Sequence, residues 1–154
     1  MIQTRPLSWC NFRVAVDLVL ELMEEEGYPA AEETPALLFD QMARAVQKGH
    51  EFGSVAFDLS SGEAAGMIQV RVAADPVAPR LEAFRFYVRP GFRHSQAGRR
   101  LLESALDALP PDCDLPVYIS TVGPLRRSFA RMGFETVSLI HTAPLEEIRR
   151  ALGR

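Results

Sequence analysis

The sequence between Val88 and Leu102 contains the residue types of an anion-binding site. A strand-like end and a short polar loop run directly into the start of a predicted helix. The first backbone N–H groups of a helix have no partner inside the helix and carry the positive end of its dipole, so they suit phosphate oxygens. Arg93 and Arg99 add guanidinium groups, and Gly98 would let a bulky ligand approach the first turn. The segment therefore predicts a phosphate-binding site.

Hydrophobic spacing predicts the elements that position this segment. Apolar residues recur at three-and-four spacing in three stretches, which is typical of helices with one buried face. Thr34 before Pro35 is typical of a helix N-cap followed by proline in the first turn. The predicted helices cover residues 12–26, the stretch that begins at Thr34 and ends before Gly49, and Ser95–Leu109, and the predicted strands cover Glu51–Leu59, Ala64–Ala73 and Arg80–Val88.

The C-terminal part of the chain continues with alternating elements. We expect a buried strand over Leu115–Ser120, a short helix over Pro124–Met132, a final strand over Phe134–His141 and a terminal helix over Pro144–Leu152. The resulting order is an initial strand, two helices, three strands and then alternating helices and strands. This order predicts one α/β domain over residues 1–154.

Composition and charge exclude several classes of protein. The 154 residues carry a net charge of −3, with 47% hydrophobic and 24% charged residues. No basic field of the kind that draws a protein onto nucleic acid or a membrane is expected. The first residues do not resemble a signal peptide and no apolar run could cross a bilayer, so a cytoplasmic protein is expected. Cys10 and Cys113 are expected to be buried thiols, and no metal site is expected because the three histidines lack ligand spacing.

Two motifs resemble those of the GNAT superfamily of N-acetyltransferases. Val88, Pro90, Arg93 and Gly98 match the strand end and loop that hold acetyl-CoA in that family, and the segment 129–134, which ends in Gly-Phe, resembles its second signature. The resemblance implies a mixed, mostly antiparallel sheet of about six strands with helices on both faces. It also implies transfer of an acetyl group from acetyl-CoA to a primary amine of a small molecule or a protein.

The resemblance implies how acetyl-CoA would lie. The end of the predicted strand Arg80–Val88 would pair with the pantetheine arm like an added strand, and the loop from Arg93 to Gly98 would hold the diphosphate. The thioester would then sit where this strand and the strand over Leu115–Ser120 separate. The implied cofactor-binding residues are Phe86, Tyr87, Val88, Arg93, His94, Ser95, Gln96, Ala97, Gly98 and Arg99.

The chain departs from the family pattern at three positions. Gln96 stands where the family has its first loop glycine, and Val122 stands where it often has asparagine. Phe129 stands where many members have the tyrosine that protonates the leaving thiolate, and phenylalanine has no proton to give. Tyr118, Ser120 or Thr121 could supply that proton instead, and the residues do not choose among them; Tyr118 is the one retained as a candidate catalytic residue.

Glu82 is the candidate general base. It lies six residues before Val88, where histone-type members of the family present a glutamate that accepts the amine proton. Phe84 and Phe86 are expected to share its strand face and to raise its pKa towards neutrality by desolvation. The alternative is a carboxylate at a strand end in solvent.

Two other functions stay open at this stage. The departures at Gln96 and Phe129 fit a GNAT-like module that binds acyl-CoA or a protein partner without catalysis. They also fit a structural or accessory protein without the cofactor, and the Arg-x-Ser loop is similar to that of GNAT-like proteins encoded by bacteriophages. Because family members often pair through their C-terminal strands, a homodimer is possible.

Overall fold

The computed structural model describes residues 1–73, 76–119, 126–131 and 133. The chain forms two compact units, Met1–Thr121 and Val122–Arg154. The second unit contributes helix α4 (Arg126–Arg131) to the described part. The predicted final strand Phe134–His141 and terminal helix Pro144–Leu152 lie outside the described residues, and the single domain over residues 1–154 stays a prediction.

The first unit is built on a mixed sheet, in which the described residues supply five strands. The strands follow one another in the sheet in chain order. The first four are antiparallel to their neighbours and the fifth runs parallel to the fourth, which confirms the predicted α/β class with a mostly antiparallel sheet. The strands are β1 (Ile2–Pro6), β2 (Glu51–Asp58), β3 (Ala64–Ala73), β4 (Arg80–Val88) and β5 (Val117–Ile119).

Helices cover both faces of this sheet. Helices α1 (Phe12–Glu25) and α2 (Thr34–Gln47) pack on the face that presents Met67 and Tyr87, where they bury the main hydrophobic cluster. Helix α3 (Ala97–Asp107) packs on the opposite face. A Cβ added at Gly98 would contact the side chains of Phe86 and Val88, which lie on that face of β4. Apolar stripes on the three helices explain this arrangement, since each stripe needs a partner surface.

Strand β4 contains a bulge beside its pairing with β5. On β3, the consecutive residues Gln69 and Val70 face Arg85 and Ala83 of β4, so Phe84 is an extra residue without a partner on β3. The described pairing of β4 with β5 ends one residue earlier, at Ala83 and Ile119. Bulges bend a strand and redirect its side chains, and they are frequent next to active sites.

Three local expectations were wrong. The residue before helix α2 is Glu33, and Thr34 lies inside the helix, where its hydroxyl accepts a hydrogen bond from the Ala31 N–H instead of capping the helix start. Cys10 is exposed and Cys113 half-buried, because both lie in connecting segments and not in the cores. Tyr118 in β5 is 41% exposed, so the described part of this strand is not the buried one that the sequence suggested.

Candidate active site

The loop before α3 presents backbone donors that no described residue uses. A short 3-10 helix (Pro90–Phe92) follows β4, and the chain then turns into α3. Among the described residues, no acceptor meets the backbone N–H groups of His94, Gln96, Gly98 and Arg99. Such groups at a helix start suit anionic oxygens.

Side chains of this loop divide into exposed and packed ones. His94 and Gln96 are exposed and Ala97 is fully buried. The Ser95 hydroxyl donates to the Phe92 carbonyl at 2.6 Å and accepts from the Ala97 N–H at 3.1 Å, which fixes the turn. The side-chain direction of Gly98 points towards the sheet, where an added Cβ would lie 3.5 Å from the Phe86 ring, which is an ordinary van der Waals contact. The expected role of Gly98 in admitting a bulky ligand stays a prediction.

The Arg93 side chain is held by hydrogen bonds to other residues of the protein. Its Nε donates to the Val88 carbonyl at 3.0 Å and its Nη2 donates to both carboxylate oxygens of Glu25, at 2.5 and 2.6 Å. An anion at the loop must therefore share or replace Glu25 as a partner. Arg99 pairs with Glu103 one turn further along α3, and an exposed pair of this kind is weak enough to be exchanged.

A second arginine–glutamate pair lies beside the first, and sequence reasoning missed both. Arg89 binds Glu21 with two of its nitrogens and donates to the Ala64 carbonyl with the third at 2.8 Å. Burial, followed by the negative charges of Glu21 and Glu25, raises the pKa of the intervening Tyr87. The signal was present in the matched spacing, since two glutamates of α1 and two arginines after β4 each stand four residues apart.

Glu82 lies on the α1 and α2 face of the sheet and is held by two arginines. Arg71 approaches one carboxylate oxygen at 2.9 Å, and Arg80 approaches the other at 2.8 Å. The hydrogen bond from Arg71, opposed by partial burial and aided by Arg80, keeps the pKa of Glu82 below its ordinary value. The expected rise towards neutrality is therefore wrong, because two guanidinium groups outweigh the desolvation of this carboxylate.

Tyr118 stands directly opposite Glu82 across the β4–β5 pairing. The Arg80 guanidinium lies 5.2 Å from the centre of its ring and so contacts both candidate catalytic residues. The last three residues of β4 are Phe86, Tyr87 and Val88, and all three are buried. The two catalytic candidates thus lie together at the start of β4, and the loop candidates lie together after its end.

Phe129 is in helix α4 and is buried.

In the described part of the chain, no cluster of three or more histidine, cysteine or acidic residues could hold a metal ion. The same residues include no helix of the length and hydrophobicity that a membrane span requires.

Comparison with known families decides what kind of protein this is. The model of the acetyltransferase (GNAT) family matches residues 16–134, which is more than half of the chain. The chain belongs to the GNAT acetyltransferase family. The match extends from within α1 to Phe134, so it includes the loop before α3, both catalytic candidates and the second signature.

Solved acetyltransferase structures share the fold at low sequence identity. A predicted acetyltransferase from Clostridium acetobutylicum, solved with acetyl-CoA, is 11% identical, with a TM-score of 0.78 over 96% of this chain and 98% of that one. Glucosamine-6-phosphate N-acetyltransferase from Arabidopsis thaliana is 15% identical, with a TM-score of 0.72 over 94% and 99%. The aminoglycoside acetyltransferase AAC(6')-Iy, in complex with a CoA-linked bisubstrate analogue, is 16% identical, with a TM-score of 0.73 over 94% and 97%. No curated protein matches the sequence.

Proposed function

We propose that this GNAT protein transfers the acetyl group of acetyl-CoA to a primary amine, with direct attack of the amine on the thioester. The observation that carries the proposal is the family match over residues 16–134. Relatives of the same fold were solved with acetyl-CoA or with a CoA-linked analogue, which supports the same co-substrate here. A cytoplasmic location and a homodimer stay predictions.

The residues of this chain fit acetyl-CoA at the loop before α3. Four backbone N–H groups without a described acceptor could bind the diphosphate, with Arg99 and a released Arg93 beside them. Phe86, Tyr87 and Val88 of β4 would hold the pantetheine arm by backbone pairing. Acetyl-CoA supplies the activated acetyl group, and the protein supplies position and proton transfer.

Glu82 and Tyr118 are the proposed proton-transfer residues. Glu82 would accept the proton that the amine loses, directly or through water, and Tyr118 could give one to the departing sulfur. A thiol with an ordinary pKa of about 8.5 leaves fairly well without help, so a weak or absent acid slows the reaction without preventing it. Both residues lie within the described β4–β5 pairing, one position before its end at Ala83 and Ile119.

One observation favours a second candidate, which is binding of acyl-CoA without turnover. Both carboxylate oxygens of Glu82 are occupied by guanidinium groups and its pKa is lowered. A carboxylate in that state is a weak base. Acetyl transfer to any amine would exclude this candidate, whereas both candidates require acetyl-CoA to bind.

A thermal-shift titration with acetyl-CoA tests the shared requirement. At one hundred times its dissociation constant, a ligand stabilises the folded state by about 2.7 kcal/mol. Arg93→Ala should raise the acetyl-CoA concentration that is needed for the same shift at least tenfold, because a charge-assisted hydrogen bond is worth about 1.5–3 kcal/mol.

Glu25→Gln is the matched control for that variant. It breaks the same ion pair but leaves the arginine available, so it should keep or strengthen binding of acetyl-CoA. Equal weakening by both variants would show that Arg93 supports α1 and does not bind phosphate. No shift with the wild-type protein at millimolar acetyl-CoA would contradict the proposed function.

A further inference from the structure

Arg85 is a half-buried cation with little compensation, on the sheet face that also presents Glu82. Its Nη1 donates to the Gln69 amide oxygen at 2.9 Å, and the Gln69 nitrogen in turn donates to Glu51. Gln69 is fully buried, so this contact is fixed by the core. Among the described residues no carboxylate forms an ion pair with Arg85. A guanidinium has five N–H donors, and the described residues accept from one of them.

The surroundings of Arg85 leave a positive charge on this face. Burial lowers the pKa of Arg85. The negative charge of Glu51 raises this pKa and so opposes burial, whereas the positive charge of Arg71 lowers it by a smaller amount. A guanidinium still stays protonated in a protein. Arg71 and Arg85 both lie over the ring of Phe84, at 4.7 and 5.1 Å from its centre. Three arginines, at positions 71, 80 and 85, face two glutamates, at positions 51 and 82, which leaves one positive charge in the cluster.

The place of Arg85 in the strand relates this charge to the proposed reaction. It follows the bulge residue Phe84, two positions after the last described pairing of β4 with β5. Glu82, the proposed acceptor of the amine proton, is three residues earlier. Three residues of a strand span at most about 10 Å. A small molecule could therefore present an amine near Glu82 and an anionic group to Arg85.

We infer that the acceptor is a primary amine that also carries a carboxylate or a phosphate, and that Arg85 binds this anionic group. The inference rests on the proposed function, because it needs the amine to react beside Glu82. Arg71, half exposed and stacked on the same ring, lies beside this site but is paired with Glu82. Uncharged or cationic amines would leave the unused donors of Arg85 without an anionic partner, which costs binding free energy.

The test is acetylation of matched pairs of amines in the presence of acetyl-CoA. The pairs are O-phosphoethanolamine with ethanolamine, glucosamine 6-phosphate with glucosamine, and β-alanine with propylamine, and spermidine represents cationic amines. We expect kcat/KM to be about 10–100-fold higher for the anionic member of at least one pair, which is the worth of a charge-assisted hydrogen bond. A preference confined to the phosphates or to β-alanine identifies which anion is bound.

Variants assign that preference to Arg85. Arg85→Met should remove it by lowering kcat/KM for the anionic amine, with little change for the paired amine that lacks the anionic group or in the KM for acetyl-CoA. Arg85→Lys keeps the charge without the planar donors and should retain part of the preference. Arg44→Met is the control, because this arginine is exposed on α2 and pairs with Asp40. Melting curves of each variant check that it folds.

The outcomes separate the two proposals. Failure of acetyl-CoA to shift the melting curve overturns the proposed function. Binding of acetyl-CoA with acetylation only of amines that lack an anionic group, or without acetylation of any anionic amine, overturns the acceptor class alone. An anionic preference that survives in Arg85→Met likewise overturns the role of this arginine.

Discussion

At the scale of single residues, two arginines decide the chemistry of Glu82, one on the neighbouring strand and one on its own strand. The sequence places two phenylalanines next to it and so suggests a desolvated carboxylate with a raised pKa. The fold places Arg71 and Arg80 on its two oxygens, and the pKa is lowered instead. Arg71 is opposite Glu82 in the β3–β4 register, which alternation within one strand cannot reveal.

Glu82→Gln tests whether this carboxylate takes part in the reaction. We expect turnover at neutral pH to fall roughly 10²-fold, the lower end of the usual contribution of a general base. Affinity for acetyl-CoA should hardly change, because the loop before α3 lies beyond the other end of β4. Steady-state kinetics with a reactive amine measures both quantities. A variant with the wild-type rate would remove Glu82 from the mechanism.

The lowered pKa also predicts how the stability contribution of Glu82 depends on pH. A carboxylate whose pKa is lower in the folded than in the unfolded state stabilises the fold above its unfolded pKa, near 4.5. This stabilisation is lost as the pH falls through the lower, folded value. Glu82→Gln should therefore unfold more easily than wild type at pH 7 and show no such difference well below pH 4. Asp40→Asn, an exposed carboxylate paired on α2, should show a much smaller effect at pH 7.

At the scale of elements, local sequence patterns located most of what the structure shows. The predicted helix at residues 12–26 differs from α1 (Phe12–Glu25) by one residue, because the spacing of its apolar residues is visible in the local sequence alone. The end of α3 was placed two residues late, since helix ends depend on weak capping contacts. Contacts between elements escaped prediction: Arg93 and Glu25 are 68 residues apart and meet only because α1 packs beside the end of β4.

Gly66 is an element-scale feature that a substitution can test. It lies in β3, the strand between β2 and β4, and a Cβ there would be 2.3 Å from the Tyr87 carbonyl oxygen. Gly66→Ala must push the backbones of β3 and β4 apart, so we expect it to lower the free energy of unfolding by about 1–3 kcal/mol. Gly91→Ala is the control, because nothing lies within 4 Å of its added Cβ, and it should stay within about 0.5 kcal/mol. Urea denaturation measures both, and equal stability of the two variants would contradict the close β3–β4 approach.

At the scale of the whole molecule, the sheet separates two hydrophobic layers that must unfold together if residues 1–154 form one domain. The single tryptophan, Trp9, is 62% exposed at the edge of the layer under α1 and α2, where its ring lies 5.5 Å from that of the buried Phe12. The layer under α3 contains Leu101, which has no exposed surface. Central strands β2 and β3 contribute to both layers, because successive side chains of a strand point to opposite faces.

Leu101→Ala tests this cooperativity from the side of the sheet that Trp9 does not touch. The cavity it leaves should cost about 2–5 kcal/mol of stability, while Leu106→Ala, at a position 57% exposed on the same helix, should change it by about 0.5 kcal/mol or less. In one cooperative domain, the fluorescence of Trp9 and the far-ultraviolet circular dichroism of the whole chain report the same urea midpoint, and Leu101→Ala lowers both equally. A circular dichroism change that continues after the Trp9 transition is complete would show that part of the chain unfolds separately, as the division at Thr121 would allow. Because the proposed reaction uses β4 and the loop before α3, such separate unfolding should leave activity following the Trp9 transition and not the circular dichroism.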